Sequence, residues 1–274
     1  MMVEALVYFF VPALVGVLIC IASGLLGIGG GTVMVPIFRL AFGMSATMST
    51  ATSLFAIIPT SISGAISHVK GKTCIPALGI AAGLGGACMS PIGVWLAQLS
   101  PDWLVMLAAA LIIGYSAINM FKKAFKLRPA GQPAAGVDAA APTADDSSLS
   151  RKQLLQGAAI GLVAGLASGY VGVGGGFIMV PLMLSIIGIP MRKASGTSLI
   201  AVMILAIPGV IEQGIIGNIN YLAGIAIVIG TIPGAVIGAR LVTKVPERTL
   251  RLLFGCFLIV AAVMLVLNEV GIFG

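Results

Sequence analysis

The stretch GIGGGTVMVP, Gly27–Pro36, returns as GVGGGFIMVP at Gly172–Pro181. Both copies run from a triple glycine into Met-Val-Pro, in apolar surroundings. In a soluble enzyme such a loop would cradle phosphate. A phosphate loop also carries a Lys, and a dinucleotide-binding turn needs a strand before its glycines and an acidic residue about 20 positions on. Each motif here follows a long apolar helical run, and neither the Lys nor the acidic residue is in place. Both copies fail alike, so the motif is not a nucleotide loop.

Composition supplies the setting. Of 274 residues, 59% are hydrophobic and 8% charged, with mean hydropathy +1.16. Soluble domains carry about 25% charged residues, so this chain cannot cover a water-facing surface. Apolar runs recur at Ala5–Leu26, Ile75–Leu96, Leu104–Phe121, Tyr221–Ala239 and Leu252–Leu267. Each is long enough to cross ~30 Å of hydrocarbon at ~1.5 Å per residue. The expected fold is an all-α polytopic membrane protein in a lipid bilayer. Glu4 precedes the first run with no basic residue, the reverse of a secretory leader, so that segment is expected to stay. Cys20, Cys74, Cys88 and Cys256 have no CxxC spacing and read as small apolar packing residues. With one histidine, His68, there is little material for a metal centre, and no cofactor is expected. The net charge of +7 comes from basic residues gathered in loops, which argues against a nucleic-acid partner.

A shift of 145 residues lays one half of the chain on the other. Gly29-Gly30-Gly31 falls on Gly174-Gly175-Gly176, Met34-Val35-Pro36 on Met179-Val180-Pro181, and Thr52-Ser53-Leu54 on Thr197-Ser198-Leu199. Gly16, Gly64, Gly85, Gly93 and Pro101 likewise meet Gly161, Gly209, Gly230, Gly238 and Pro246. One constant shift over most of each half is a duplication. The chain divides into a first membrane repeat at 1–121, a linker at 122–152 and a second repeat at 153–274. The Ala/Pro/Gly/Asp-rich linker reads as flexible and solvated. Each repeat has five hydrophobic segments, in the first half 5–26, 32–42, 47–66, 75–98 and 104–121. The second is too short to cross alone. It is either a half-helix in a re-entrant hairpin with the third segment or a tilted, broken crossing.

Charges set the orientation. Lys122, Lys123, Lys126, Arg128, Arg151 and Lys152 flank the linker and place it in the cytoplasm. Counting outward from it, His68, Lys70 and Lys72 fall inside and Asp102 outside. Glu212–Asn220, without Lys or Arg, falls outside, and Arg240–Arg251 inside. Equivalent loops thus carry opposite bias, as inverted repeats of secondary transporters do. Both termini are expected outside.

Two readings of the glycines stay open. They permit close helix packing, or they break the helix and expose backbone to a cavity. A break would offer the N–H groups and positive dipole end of the next helix to an anion, and inverted copies would bring two such ends toward the midplane. Three consecutive glycines, a short segment and repetition favour the break. The candidate site is then Gly29, Gly30, Gly31 and Thr32 with Gly174, Gly175, Gly176 and Phe177. Thr52, Ser53, Thr197 and Ser198 either cap helix starts or donate hydroxyls to the anion. Arg192 and Lys193 are a cytoplasmic anchor or a basic entry to the anion path. If protons are the coupling ion, His68 and Glu212 are the titratable candidates, although both lie near loops. There is no paired-carboxylate, Ser/His/Asp or nucleotide-binding set, so neither an enzyme nor an ATP-driven pump is expected.

The duplicated glycine motif, the downstream TSL and the two-half layout resemble the TauE/SafE family of membrane permeases. The resemblance covers nearly the whole chain. It implies a bacterial inner-membrane carrier of small, sulfur-containing anions such as sulfite or an organosulfonate like sulfoacetate, acting in export. Alternating access, one repeat rocking against the other, is the expected mechanism; a passive anion channel is the alternative. Thr32 faces Phe177 in the duplication, an asymmetry suited to an anionic head with a less polar remainder.

Overall fold

The computed structural model describes residues 14, 16–126 and 150–269. The two termini and most of the linker, on which the leader and terminal-orientation expectations fall, lie outside the described residues. The described chain is helical: α1 (Gly16–Leu26), α2 (Gly31–Phe42), α3 (Ala46–Lys70), α4 (Pro76–Leu99), α5 (Asp102–Lys126), α6 (Arg151–Val171), α7 (Gly176–Leu182, continued by a π-helical turn at Met183–Ile187), α8 (Met191–Ile216), α9 (Tyr221–Leu241) and α10 (Glu247–Glu269). Seven of these are long and apolar enough to cross a membrane. This is an all-α polytopic membrane protein.

Local chemistry starts and stops the helices. Ser45 caps α3, Asn220 caps α9, and Ser150 with Gln153 forms a capping box on α6. The Asp102 carboxylate accepts the Ala46 N–H at 3.2 Å, and Glu247 accepts that of Met191 at 3.3 Å. These are equivalent acids on equivalent helix N-termini, where negative charge is favoured.

The five-helix units are not separate packing bodies. α4 packs on α6 and α8, α9 on α3, and α5 on α10, so the main seams join one half to the other. Glycines line these seams. A methyl at Gly161, Gly165 or Gly169 of α6 would strike the carbonyls of Ala82, Gly86 or Ser90 in α4. At the equivalent seam Gly24 of α1 meets Ala235 of α9, and Gly234 and Gly238 of α9 meet Val17 and Ile21 of α1. Backbone contact of this kind replaces the hydrophobic drive that lipid cannot supply. Exchanging the halves maps these seams onto one another.

The contacts also fix where the short helices go. Gly31 lies against Ile57, the middle of α3, while α2 ends beside the start of α3. α1 runs parallel to α9 down to the glycine loop, and α2 turns back. α6 and α7 make the matching hairpin from the other end, where Lys123 of α5 holds the Pro181 carbonyl at 2.9 Å. Each short segment thus turns back beside the helix before it, and the helix after it, α3 or α8, is a full-length span and not the other arm of a re-entrant pair. The basic residues Lys70, Lys123, Arg192, Arg240 and Arg248 gather at one end of the bundle, and Asp102 and Glu212 lie at the opposite end.

Candidate functional site

The two hairpin tips meet inside the bundle. A Cβ on Gly31 would lie 2.5 Å from the Val173 carbonyl, and one on Gly176 would lie 2.5 Å from that of Gly27. Gly27–Gly31 and Gly172–Gly176 are buried throughout. Ile57 and Val202, themselves equivalent, press on the contact from α3 and α8. Gly30 and Gly175 take left-handed backbone, φ 87° and 68°, at the N-caps of α2 and α7. Other residues adopt that conformation only under strain.

In the first loop the N–H groups of Gly27 and Ile28 go to the Ser23 carbonyl, and those of Val33 and Met34 to Gly30. Gly29 and Gly30 N–H have no partner among the described residues. The carbonyls are treated otherwise. Ser198 of α8 donates its hydroxyl to the Gly27 carbonyl at 2.7 Å, and Ser53 of α3 donates to that of Gly172 at 2.9 Å. Each TSL serine thus fastens the glycine loop of the other half. Two tip carbonyls are thus taken while the Gly29 and Gly30 N–H groups stay open, and N–H groups at a helix start are the donors that an anion binds.

The surroundings of the two tips differ. Beside the first, Cys20 Sγ is 3.1 Å from a Cβ position on Gly30, and Ser61 Oγ is 3.2 Å from one on Gly29. Thr60 and Thr231 share a hydrogen bond of 2.6 Å. The equivalents beside the second tip are Gly165, Ala206, Leu205 and Gly86. Ser23, Thr32, Ser61 and Ser168 are fully buried, and their hydroxyls lack a hydrogen-bond partner. In lipid each such orphan costs free energy. Ser23 and Ser168 are equivalent, one at each tip, so the difference lies in Thr32 and Ser61 beside the first, where the second has the fully buried Phe177 and Ala206.

The structure thus brings Gly29, Gly30, Gly31, Thr32, Ser53, Gly174, Gly175, Gly176, Phe177 and Ser198 to one contact. Thr52 and Thr197 face elsewhere: Thr52 Oγ1 accepts the Asn220 N–H at 3.0 Å, and Thr197 Oγ1 accepts that of Ile75 at 2.9 Å. They fasten the starts of α9 and α4. Arg192 bonds the Val245 carbonyl at 2.9 Å, and Lys193 sits beside it in the first turn of α8. Glu212 lies toward the opposite end, half-buried, with Oε2 unpartnered. Ser61, Thr60, Thr231 and Cys20 were missed by motif reading. Their signal was polarity in one copy of the duplication against small or apolar residues in the other.

His68 is fully buried, with Nε2 at 3.0 Å from the Gly24 carbonyl and Nδ1 at 2.7 Å from Thr73 Oγ1. A carbonyl only accepts, so Nε2 carries the proton. The equivalent pair is Gln213 and Asn218, bonded at 2.9 Å. Since Gln cannot titrate, the shared task is to hold a helix end. His68→Gln is expected to keep both the rate and the pH profile of transport. A flattened profile in the variant would instead assign proton coupling to His68.

Paired glycine tips meeting inside a polytopic helical bundle, with open N–H groups and no fixed charge, fit a membrane transporter architecture. The chain belongs to the TauE/SafE family: the family model described as "Sulfite exporter TauE/SafE" matches residues 12–265. It is 28% identical to the probable membrane transporter protein YunE of Bacillus subtilis (strain 168), over 97% of this chain and 99% of that protein. It is 28% identical to YdhB of the same organism, also a probable membrane transporter protein, over 87% of this chain and 92% of that one. A probable membrane transporter protein of Xylella fastidiosa (strain Temecula1 / ATCC 700964) is 24% identical, with 92% of each chain covered. No solved structure matches.

Proposed function

We propose that the chain is a secondary transporter carrying small sulfur-containing oxyanions, sulfite or an organosulfonate such as sulfoacetate, outward across a bacterial inner membrane. The observation that carries this reading is the meeting of the two glycine tips, with free N–H groups and an orphaned Ser61 hydroxyl on one side. The description of the matching family supports the substrate class. Thr32 and Ser61 would hold the oxyanion, and the Phe177 side would take the less polar remainder. Placing the basic end in the cytoplasm follows the positive-inside rule and sets both termini outside.

Mutual contact of the tips leaves no open path through them, which supports alternating access over a passive pore. The interleaved seams disfavour one repeat rocking as a rigid block. Motion of one hairpin against the other opens each side in turn with the seams intact. Saturable sulfite or sulfoacetate flux with counterflow in proteoliposomes tests the reading; linear, unsaturable flux would make it a channel. Gly30→Val is expected to remove this flux while leaving some folded protein, less stable because Val must take a φ of 87°. Its Cβ would meet the mobile end of Met34, 2.7 Å away, not backbone.

A further inference from the structure

A cleft of about 590 Å³ opens at the basic end between α3 and α9. Its walls include Ser63, Ser67 and Lys70 of α3, Arg240 of α9 and the adjoining Thr243. Lys70 and Arg240 are exposed, and neither has a carboxylate partner among the described residues. Two cations on one cleft could merely complement the C-terminal dipoles of their helices. The equivalent helix ends, on α8 and α4, carry Ile215 and Trp95 in those places, so helix dipoles alone do not demand the cations; the positive-inside bias of this end accounts for their charge, and the cleft they line for their use.

The cleft also leads somewhere. Ser67, Ser63 and Thr60 succeed one another along one face of α3. Ser63 is bonded to the Thr60 and Ile232 carbonyls at 3.1 and 3.2 Å, and Thr60 to Thr231 at 2.6 Å. Ser61 and Cys20, at the first glycine tip, lie just beyond. Along α8 the equivalents are Glu212, Pro208 and Leu205, with Gly86 on α4. One interface is therefore a file of hydroxyls ending at two cations. Its counterpart is apolar but for Ser90, whose buried hydroxyl lies 3.0 Å from a Cβ position on Gly209, and it ends at an acid.

Resting on the transporter reading, we infer that the α3–α9 cleft is the anion-loading vestibule, and that Lys70 and Arg240 draw a free oxyanion toward Ser63 and the Thr60–Thr231 pair. A low-dielectric cleft lined by one sign of charge raises the local concentration of its counter-ion. At the opposite end Glu212 and the apolar file lower anion affinity. This asymmetry sets the half-saturation on each face; the equilibrium distribution is left to the driving gradient.

The test uses Ser67→Cys in the full chain with Cys74, Cys88 and Cys256 changed to Ser, reconstituted in proteoliposomes. Rates of labelling by sulfonate-bearing and trimethylammonium-bearing methanethiosulfonates are compared, each relative to a free thiol. The sulfonate reagent is expected to win by about tenfold. Lys70→Gln with Arg240→Gln should erase that preference and raise the half-saturation for sulfoacetate applied from the basic end by about tenfold. Millimolar sulfoacetate should protect the cysteine in purely zwitterionic lipid. No charge preference, or protection by anionic lipid and not by sulfoacetate, overturns the vestibule. Absence of any sulfoacetate or sulfite flux by the unmodified protein would sink the transporter reading while leaving the charge preference readable.

Discussion

Gly176→Ala is expected to reduce transport to background and to lower the thermal stability of the purified protein. The added methyl would lie 2.5 Å from the Gly27 carbonyl oxygen and 2.9 Å from Ile28 Cα, both backbone of the opposite tip. Neither atom can swing aside, so one hairpin must shift. Overpacking of this kind costs about 1–3 kcal/mol. Displacement of the first tip also moves its N–H groups and Thr32 away from Ser61 on α3. The backbone of Gly176 is ordinary helix, so strain at φ plays no part. That separates this variant from Gly30→Val, where left-handed φ and a flexible Met34 are met instead. The measurement is counterflow in proteoliposomes beside a thermal melt in detergent. Full transport by Gly176→Ala would show that the tips part during the cycle without needing this contact.

The duplication made most of the architecture legible. Helix length and apolarity follow from composition, because a span needs about 20 apolar residues whatever its neighbours. The constant shift paired Ser53 with Ser198 and Ile57 with Val202, and the structure sets both pairs symmetrically around the tips. What each serine does was not legible. Nothing local shows that Ser53 reaches Gly172, 119 residues away, rather than its own loop. Cross-half exchange of this kind is a property of tertiary packing. The direction of the short helices was equally hidden, since a broken crossing and a re-entrant turn share one hydropathy pattern. The one-sided polar lining was present in the sequence as mismatch between copies. Attention to matched residues passed over Thr60, Ser61, Cys20 and Thr231, whose counterparts are Leu205, Ala206, Gly165 and Gly86.

Ser61→Ala draws the sharpest line between structure and function. Its Oγ is fully buried, unpartnered, and 3.2 Å from a Cβ position on Gly29. A structural hydroxyl in that position only adds cost, about 1–3 kcal/mol for an unmet group. Its removal is expected to leave the melting temperature unchanged or raise it. An oxyanion held there would lose one charge-assisted hydrogen bond, worth about 1.5–3 kcal/mol, so affinity should fall roughly ten- to hundredfold. Ser198→Ala supplies the contrast. That hydroxyl spans 2.7 Å to the Gly27 carbonyl, so its loss loosens a hairpin and lowers stability together with transport. Half-saturation for sulfite and sulfoacetate, measured beside melts of both variants, decides the matter. A Ser61→Ala protein with unchanged half-saturation would move the anion site away from the first glycine tip.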